Sequence, residues 1–181
     1  RCRRRTVRCL VLIITWFLVA PAYAVLEVNS LDAPLSIAGE WRFQSGDDLQ
    51  WATPDFDDSG WLIATVPAHS PPAPVDANGM GWYRLTLQLD PNSDSVARHM
   101  GALAVSLSKV MSAYELYAGG VMIGGAGKLP PEQSAEYDHH RTLDIPASAV
   151  DDNGRLVLAL RLWRDPAVAA HWETGPYAGR F

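Results

Sequence analysis

Apolar and polar residues alternate along several short stretches of the chain. The clearest spans residues 83–90, where Tyr83, Leu85, Leu87 and Leu89 point one way and Arg84, Thr86, Gln88 and Asp90 the other. A period of two is that of a strand with one buried and one wet face. Residues 102–108 repeat it with Leu103, Val105 and Leu107 inward, and residues 155–163 with Leu156, Leu158, Leu160 and Leu162 inward. A shorter strand is expected at 142–145, stopped by Pro146, which cannot donate to a ladder. Residues 112–123 are expected to form a hairpin turning at Gly119-Gly120, because glycine supplies the positive φ of a two-residue turn. Beyond the first 24 residues no stretch keeps a long 3.6-residue apolar period, so the only helix expected is one turn at 55–59. Many short strands separated by Gly, Pro and Asn predict an all-β sandwich. The proline-rich stretch 67–74 is expected to be an extended surface loop within the domain, because the apolar pattern resumes at Trp82.

The N-terminus departs from this pattern. Arg1, Arg3, Arg4, Arg5 and Arg8 precede an apolar run at 9–20 broken only by Thr15, and Ala22-Tyr23-Ala24 fits the small-x-small rule for signal peptidase. The run is about half of the ~20 residues a spanning helix needs, so a cleaved secretory signal peptide is expected over residues 1–24. An uncleaved anchor over 7–26 is the alternative, opposed by Arg8 and Pro21. The expected order is then a short linker at 25–34, one β-sandwich at 35–166, and the start of a downstream segment or linker at 167–181. Because the sequence starts with Arg and stops at Gly179-Arg180-Phe181, both ends are expected to be cut from something longer.

Removing the leader changes the charge. All five of its charges are arginines, which leaves ten basic against 20 acidic residues, a net charge of −10. Such a surface argues against nucleic-acid partners, which need basic patches, and against docking on an anionic membrane. Both cysteines, Cys2 and Cys9, lie in the leader, so the mature domain is expected to have no disulfide and no cysteine metal site. A domain of roughly 150 residues buries enough surface to fold without them. The location expected is extracytoplasmic, periplasmic or secreted, with a tether to the membrane left open through a missing C-terminal part.

Candidate chemistry is sparse. Asp57, Asp58 and Ser59 are turn formers, Gly60 follows, and Trp51 and Trp61 flank the turn with large apolar area to bury. With Trp82 and Arg84 they are read as a structural staple rather than a binding site. Asp47, Asp48, Asp55, Asp57 and Asp58 cluster as calcium ligands do, but Val66 stands at the twelfth position from Asp55, where an EF-hand needs its bidentate Glu. A solvated turn is the favoured reading, with a calcium site of another kind at Asp55, Asp57 and Asp58 as the alternative. His139 and His140 would point to opposite faces of a strand, and His69, His99 and His171 are scattered, so no zinc site is expected. There is no Gly-x-Ser-x-Gly elbow, phosphate loop or His-Glu-x-x-His motif. The chain is therefore expected to be non-catalytic and to need no cofactor. For binding, Tyr137, Trp163, Trp172 and Tyr177 are the candidates, since sugars stack their apolar faces on exposed aromatic rings; packing at the sandwich rim is the favoured alternative.

Three stretches together resemble a known family: Gly39-Glu40-Trp41-Arg42-Phe43 with Gly46-Asp47-Asp48 and the Trp51-to-Trp61 segment; Gly81-Trp82-Tyr83-Arg84; and Ala113-Tyr114-Glu115-Leu116-Tyr117-Ala118-Gly119-Gly120 with Ile123-Gly124 and Gly127. They are similar to the galactose-binding-like jelly-roll domain at the N-terminus of family 2 glycoside hydrolases, over roughly residues 35–165. A second resemblance rests on Tyr114-Glu115-Leu116-Tyr117, Gly127-Lys128-Leu129-Pro130-Pro131 and Arg161-Leu162-Trp163. These look like the outer domain of bacterial membrane signalling proteins, whose cytoplasmic outputs include serine phosphatases, histidine kinases and diguanylate cyclases. Both relatives usually carry Asn-Gly at the hairpin tip, where this chain has Gly119-Gly120. The resemblances imply a jelly-roll β-sandwich. They imply first an extracytoplasmic ligand-binding or sensory module of a membrane-bound signalling protein, partnered by a carbohydrate or other small molecule and by downstream domains of the same chain. The alternative they imply is the N-terminal sugar-binding accessory domain of an exported family 2-like glycosidase, and a free-standing carbohydrate-binding protein is a third reading.

Overall fold

A computed structural model describes residues 25–66, 75–100, 103–107, 110, 112–136, 140–165 and 177–179. The expected leader, the proline-rich loop at 67–74, Tyr137 and Trp172 lie outside these residues. Among the described residues the strands are β1 (Val25–Val28), β2 (Leu35–Ser36), β3 (Gly39–Ser45), β4 (Leu62–Val66), β5 (Met80–Leu89), β6 (Leu103–Leu107), β7 (Ala113–Ala118), β8 (Val121–Ala126), β9 (Arg141–Ile145), β10 (Arg155–Trp163) and β11 (Tyr177–Gly179), with one α-helix, α1 (Pro91–Met100). They form two sheets: a seven-stranded sheet ordered β4-β3-β5-β10-β7-β8 with β1 beside β5, and a four-stranded sheet ordered β2-β11-β6-β9. The architecture is an all-β sandwich.

Strand β5 organises the large sheet. Along one side it pairs antiparallel with β10, from Arg155↔Gln88 to Trp163↔Met80. Its other side is shared: β3 takes the first half, from Arg42↔Arg84 to Ser45↔Gly81, and β1 takes the second half in parallel, from Val25↔Thr86 to Val28↔Leu89. The expected linker at 25–34 therefore begins as a strand. Its backbone satisfies the edge of β5 that β3 leaves unpaired, and Val28 is buried in the core. Residues 177–179, expected in a downstream segment, likewise belong to the sandwich: β11 joins β2 to β6 through Tyr177↔Ser36 and Tyr177↔Ser106.

The inward residues of the alternating pattern make the core between the sheets. Leu85, Leu87, Leu116, Leu158 and Leu162 come from the large sheet, and Val105, Leu107 and Ile145 from the small one. The other face of β5 was expected to be wet. Instead Trp82, Arg84 and Thr86 are buried, because residues 46–61 fold across the outer face as a cover. The helical turn expected at 55–59 lies a few residues earlier, as a 3-10 turn at Leu49–Ala52 capped by Asp48, whose carboxylate accepts from Gln50 N at 2.9 Å.

Helix α1 was not expected. It is started by Asp90, whose carboxylate accepts from Ser93 N at 2.6 Å, and by Pro91 at the first helical position. Among its residues whose burial is described, 91–97, Ser93 and Ala97, one turn apart, are buried, and Ala97 alone is apolar, too little to register as an apolar period. Among the described residues no helix is long and apolar enough to cross a membrane.

Candidate functional site

The cover is anchored by a buried arginine. Arg84 is 1% exposed, and its Nε donates to Asp58 Oδ2 at 2.8 Å. Its Nη1 donates to the carbonyls of Trp51 and Thr53, and its Nη2 to that of Phe56. One guanidinium thus satisfies several carbonyls of a segment that has no strand partner. Arg42 adds a bond to the carbonyl of Trp61 at 3.3 Å. Aromatic rings fill the space between cover and sheet: Trp51 meets Trp61 edge-on with centroids 5.2 Å apart and Trp82 at 6.2 Å. The cover is thereby a packed second layer on the outer face.

A second arginine sits diagonally from the first on that face, two residue pairs further along β5 and β10. Arg161 grips Asp47 with two bonds, Nε to Oδ1 at 2.7 Å and Nη2 to Oδ2 at 2.6 Å, and donates through Nη1 to Glu115 Oε2 at 2.9 Å. The Trp82 indole N–H also donates to Asp47 Oδ1, at 3.0 Å, and the Tyr117 hydroxyl donates to Glu115 Oε2 at 2.8 Å. Burial alone would raise the pKa of Asp47, but the hydrogen bonds from Arg161 and Trp82 and the guanidinium charge outweigh it and hold the carboxyl below its ordinary value. Burial, reinforced by the bond to Glu115, pushes the Tyr117 phenol up to about 12. The bonds to Asp47 and Glu115 raise Arg161 further, so it stays charged.

Beside this network lies an open cleft of about 510 Å³, within the roughly 300–1,000 Å³ of small-molecule sites. Glu115, Arg161, Met122 and the loop at 127–132 line it, with Met122 paired to Tyr117 on the same sheet face as Glu115. The loop is tied at its base by mutual backbone bonds between Lys128 and Ser134, and Glu136 accepts from Gly127 N at 2.9 Å. Gly125 is required at the cleft wall: any Cβ there would collide with the carbonyl of Tyr114 on the neighbouring strand. The polar lining is two acids, Glu115 and Glu132, and two bases, Arg161 and Lys128. Lys128 and Glu132 stand 3.6 Å apart, both largely exposed at the rim. Among the described residues Glu115 accepts only through Oε2, leaving Oε1 as an open acceptor.

The residues singled out in the sequence divide. Trp51, Asp58, Trp61, Trp82 and Arg84 come together under the cover, while Asp57 faces solvent and accepts from Ser59 N at 3.0 Å. The three carboxylates considered for calcium do not converge. Asp55 reaches toward Arg155 at 3.9 Å, Asp57 closes its own turn, and Asp58 turns inward to Arg84; no group of three metal-ligating side chains occurs among the described residues. Trp163 offers no open face for stacking. It is 5% exposed, donates from Nε1 to the Asn78 carbonyl at 3.0 Å, and packs with Met80, Ala113 and Leu129, so it supports a cleft wall from behind. Tyr177 lies on β11, and Tyr137 and Trp172 fall outside the described residues. Sequence reasoning missed Arg161, Glu115, Asp47 and Lys128. The signal was there: Arg161 and Glu115 are charged residues at outward positions of otherwise apolar strands, and they prove to be direct cross-strand partners.

No family model matches the chain, and no curated protein matches it. Solved structures do match. A β-glucuronidase from Bacteroides uniformis superposes with a TM-score of 0.59 at 16% identity, covering 80% of this chain and 17% of that one. A glycosyl hydrolase family 2 member from Bacteroides cellulosilyticus gives 0.59 at 17% identity, covering 81% and 20%. A β-glycosidase from Bacteroides vulgatus gives 0.59 at 14% identity, covering 80% and 20%. At such identities the likeness is one of fold. The chain corresponds to about a fifth of each of these enzymes.

Proposed function

We propose that the chain is a galactose-binding-like, sugar-binding accessory domain of an exported family 2-like glycoside hydrolase and is itself non-catalytic. The observation that carries this reading is the match of four-fifths of the chain to a one-fifth portion of several family 2 enzymes. The carboxylates support the non-catalytic part. A glycosidase needs an acid with a raised pKa facing a second carboxylate. Here the two carboxylates of the outer-face network share one guanidinium, and Asp47 is held below its ordinary value. The leader pattern supports export.

The test is the parent protein. Its coding sequence should continue past Phe181 into a long β/α pattern, and the full-length protein should hydrolyse 4-nitrophenyl β-glycosides. Absence of both would sink the reading.

A second reading keeps one specific support. From the stretches that resemble signalling outer domains, Tyr114, Glu115 and residues 127–131 line the cleft. On that reading a cleft ligand would bias downstream membrane helices, which requires unequal affinity for two states. Several ~20-residue apolar spans after Phe181 would favour it over the glycosidase.

A further inference from the structure

We propose that the cleft between the β7–β8 hairpin and the loop at 127–132 binds a neutral, hydroxyl-rich saccharide, with Glu115 Oε1 as the principal acceptor and Met122, Leu129 and Pro131 as the apolar wall. The inference deepens the accessory-domain reading and rests on it for the choice of carbohydrate over other neutral polar ligands.

Three features of the cleft lead to this ligand class. The first is charge balance. Glu115 and Glu132 are matched by Arg161 and Lys128, so the lining carries no net charge to attract an ionic ligand. An anion would meet two carboxylates, and a cation would meet a guanidinium and an ammonium. The second is the open acceptor. Glu115 is fixed by Arg161 Nη1 and Tyr117 OH on one oxygen, so Oε1 is oriented before any ligand arrives and can accept from a hydroxyl without losing its existing bonds. Arg161 itself is committed, with Nε, Nη1 and Nη2 all donating to Asp47 or Glu115, and acts here as a positioning residue. The third is the apolar lining. Met122 is 51% exposed at the end of the hairpin, an unusual place for a large apolar side chain, and it lines the cleft with Leu129 and the Pro130-Pro131 pair. Apolar surface beside a few fixed polar groups matches a sugar ring, which has C–H faces and hydroxyl edges. The wall is aliphatic, so the site differs from the aromatic candidates read from the sequence.

The experiment is isothermal titration calorimetry of the purified protein with cellotetraose, xylotetraose and mannotetraose, and with tetragalacturonate as the anionic control. At least one neutral tetrasaccharide should bind, and more tightly than tetragalacturonate. Met122→Lys changes an exposed residue and should leave the thermal midpoint unchanged while weakening that binding by about ten-fold or more. Glu115→Gln should weaken it comparably, with Trp fluorescence and the thermal midpoint checked in parallel. The proposal is overturned if no neutral saccharide binds up to about 10 mM, if tetragalacturonate binds best, or if binding survives Met122→Lys unchanged in a folded protein. A parent protein that hydrolyses glycosides while any of these negatives holds would remove the cleft assignment and leave the accessory-domain reading standing.

Discussion

Removing the Asp58 carboxylate should detach the cover from the sheet, because it strands a buried guanidinium. Arg84 and Asp58 have side chains 1% and 4% exposed, and the 2.8 Å contact between them is the only ion pair either makes among the described residues. Asp58 Oδ1 is buried without a hydrogen-bond partner, so the pair's compensation runs through one oxygen. Replacing one partner of such a pair costs about 3–5 kcal/mol, since the survivor keeps its desolvation penalty. In a domain of this size that is a thermal shift of about 6–20 °C, a large part of a total stability of roughly 5–15 kcal/mol. Asp58→Ala should lose about this much. Arg84→Met should lose at least as much, because the carbonyls of Trp51, Thr53 and Phe56 lose their donor as well. The double variant should cost clearly less than the sum of the two, by about 2 kcal/mol or more, since the second change removes the charge that the first left uncompensated. Urea unfolding of the four proteins, followed by tryptophan fluorescence, measures each value, and Trp51, Trp61 and Trp82 report on the cover directly. An Asp58→Ala loss below about 1 kcal/mol, or strict additivity in the double variant, would refute the reasoning.

Three further outcomes follow from the same face and its turns. Asp47 has a depressed pKa in the folded state, so its contribution is complete above the ordinary carboxylate range and disappears as pH falls through the lower folded value. Asp47→Asn should therefore cost about 1 kcal/mol near pH 7, after allowing for its partial exposure, and progressively less as pH falls below the ordinary carboxylate range; acid unfolding curves of the two proteins should converge, and parallel curves would contradict the assignment. Tyr117, pushed up to about 12, favours the neutral phenol in the folded protein, so that contribution is present below the ordinary tyrosine value near 10 and lost as pH rises toward 12. In absorbance titrations Tyr117→Phe should leave the folded protein's ionisation near 10 unchanged and remove one tyrosine ionising near 10 from the unfolded chain; loss of a phenol near 10 from the folded titration would contradict the assignment. Gly119 has φ +56°, and a Cβ there would lie 2.5 Å from the carbonyl oxygen of Ala149, so Gly119→Ala should cost more than the ~1–2 kcal/mol of the left-handed conformation alone; an unchanged thermal midpoint would count against the turn geometry.

The sequence was most legible where one physical rule acts alone. Alternation located β5, β6, β9 and β10 because the core face of a strand must be apolar every second residue. The Gly119-Gly120 tip was readable because a two-residue hairpin turn demands positive φ at both positions, and both have it. Legibility ended where long-range packing decides. Nothing local to Trp82-Tyr83-Arg84 says that residues 46–61 will cover its polar side, so a strand buried on both faces looked half wet. Strand β1 was read as linker because four residues carry too little pattern, and its place depends on a gap left by β3 along β5. Helix α1 had its capping signal in Asp90-Pro91, but its mostly polar sequence, with Val96, Ala97 and Met100 as its apolar positions after Pro91, hid it from a search for apolar period. Of the aromatic candidates, Trp163 packs with Met80, Ala113 and Leu129 behind the 127–132 loop, a placement that depends on long-range packing and not on its position near a loop.

Arg84 and Arg161 show how one sheet face supports two different tasks. They lie on neighbouring strands, with Arg84 opposite Ala159 and Arg161 opposite Trp82, so the same cover passes over both. Over Arg84 the cover closes: aromatic rings exclude water, the carbonyls converge, and the charge is spent on holding backbone. Over Arg161 it thins to Asp47 at its leading end, and the guanidinium keeps its side chain 16% exposed. There both partners are carboxylates, whereas Arg84 divides its donors between one carboxylate and three carbonyls, and a carboxylate has more acceptor sites than one arginine can fill. The surplus appears at Glu115, a cleft-lining residue whose bonds from Arg161 and Tyr117 both go to Oε2. Arg84 and its carboxylate and carbonyl partners are sealed under the cover, so that arginine stabilises. A half-open one with carboxylate partners leaves oriented acceptor capacity at the surface, which is why the functional reading rests on the end of β10 that holds Arg161.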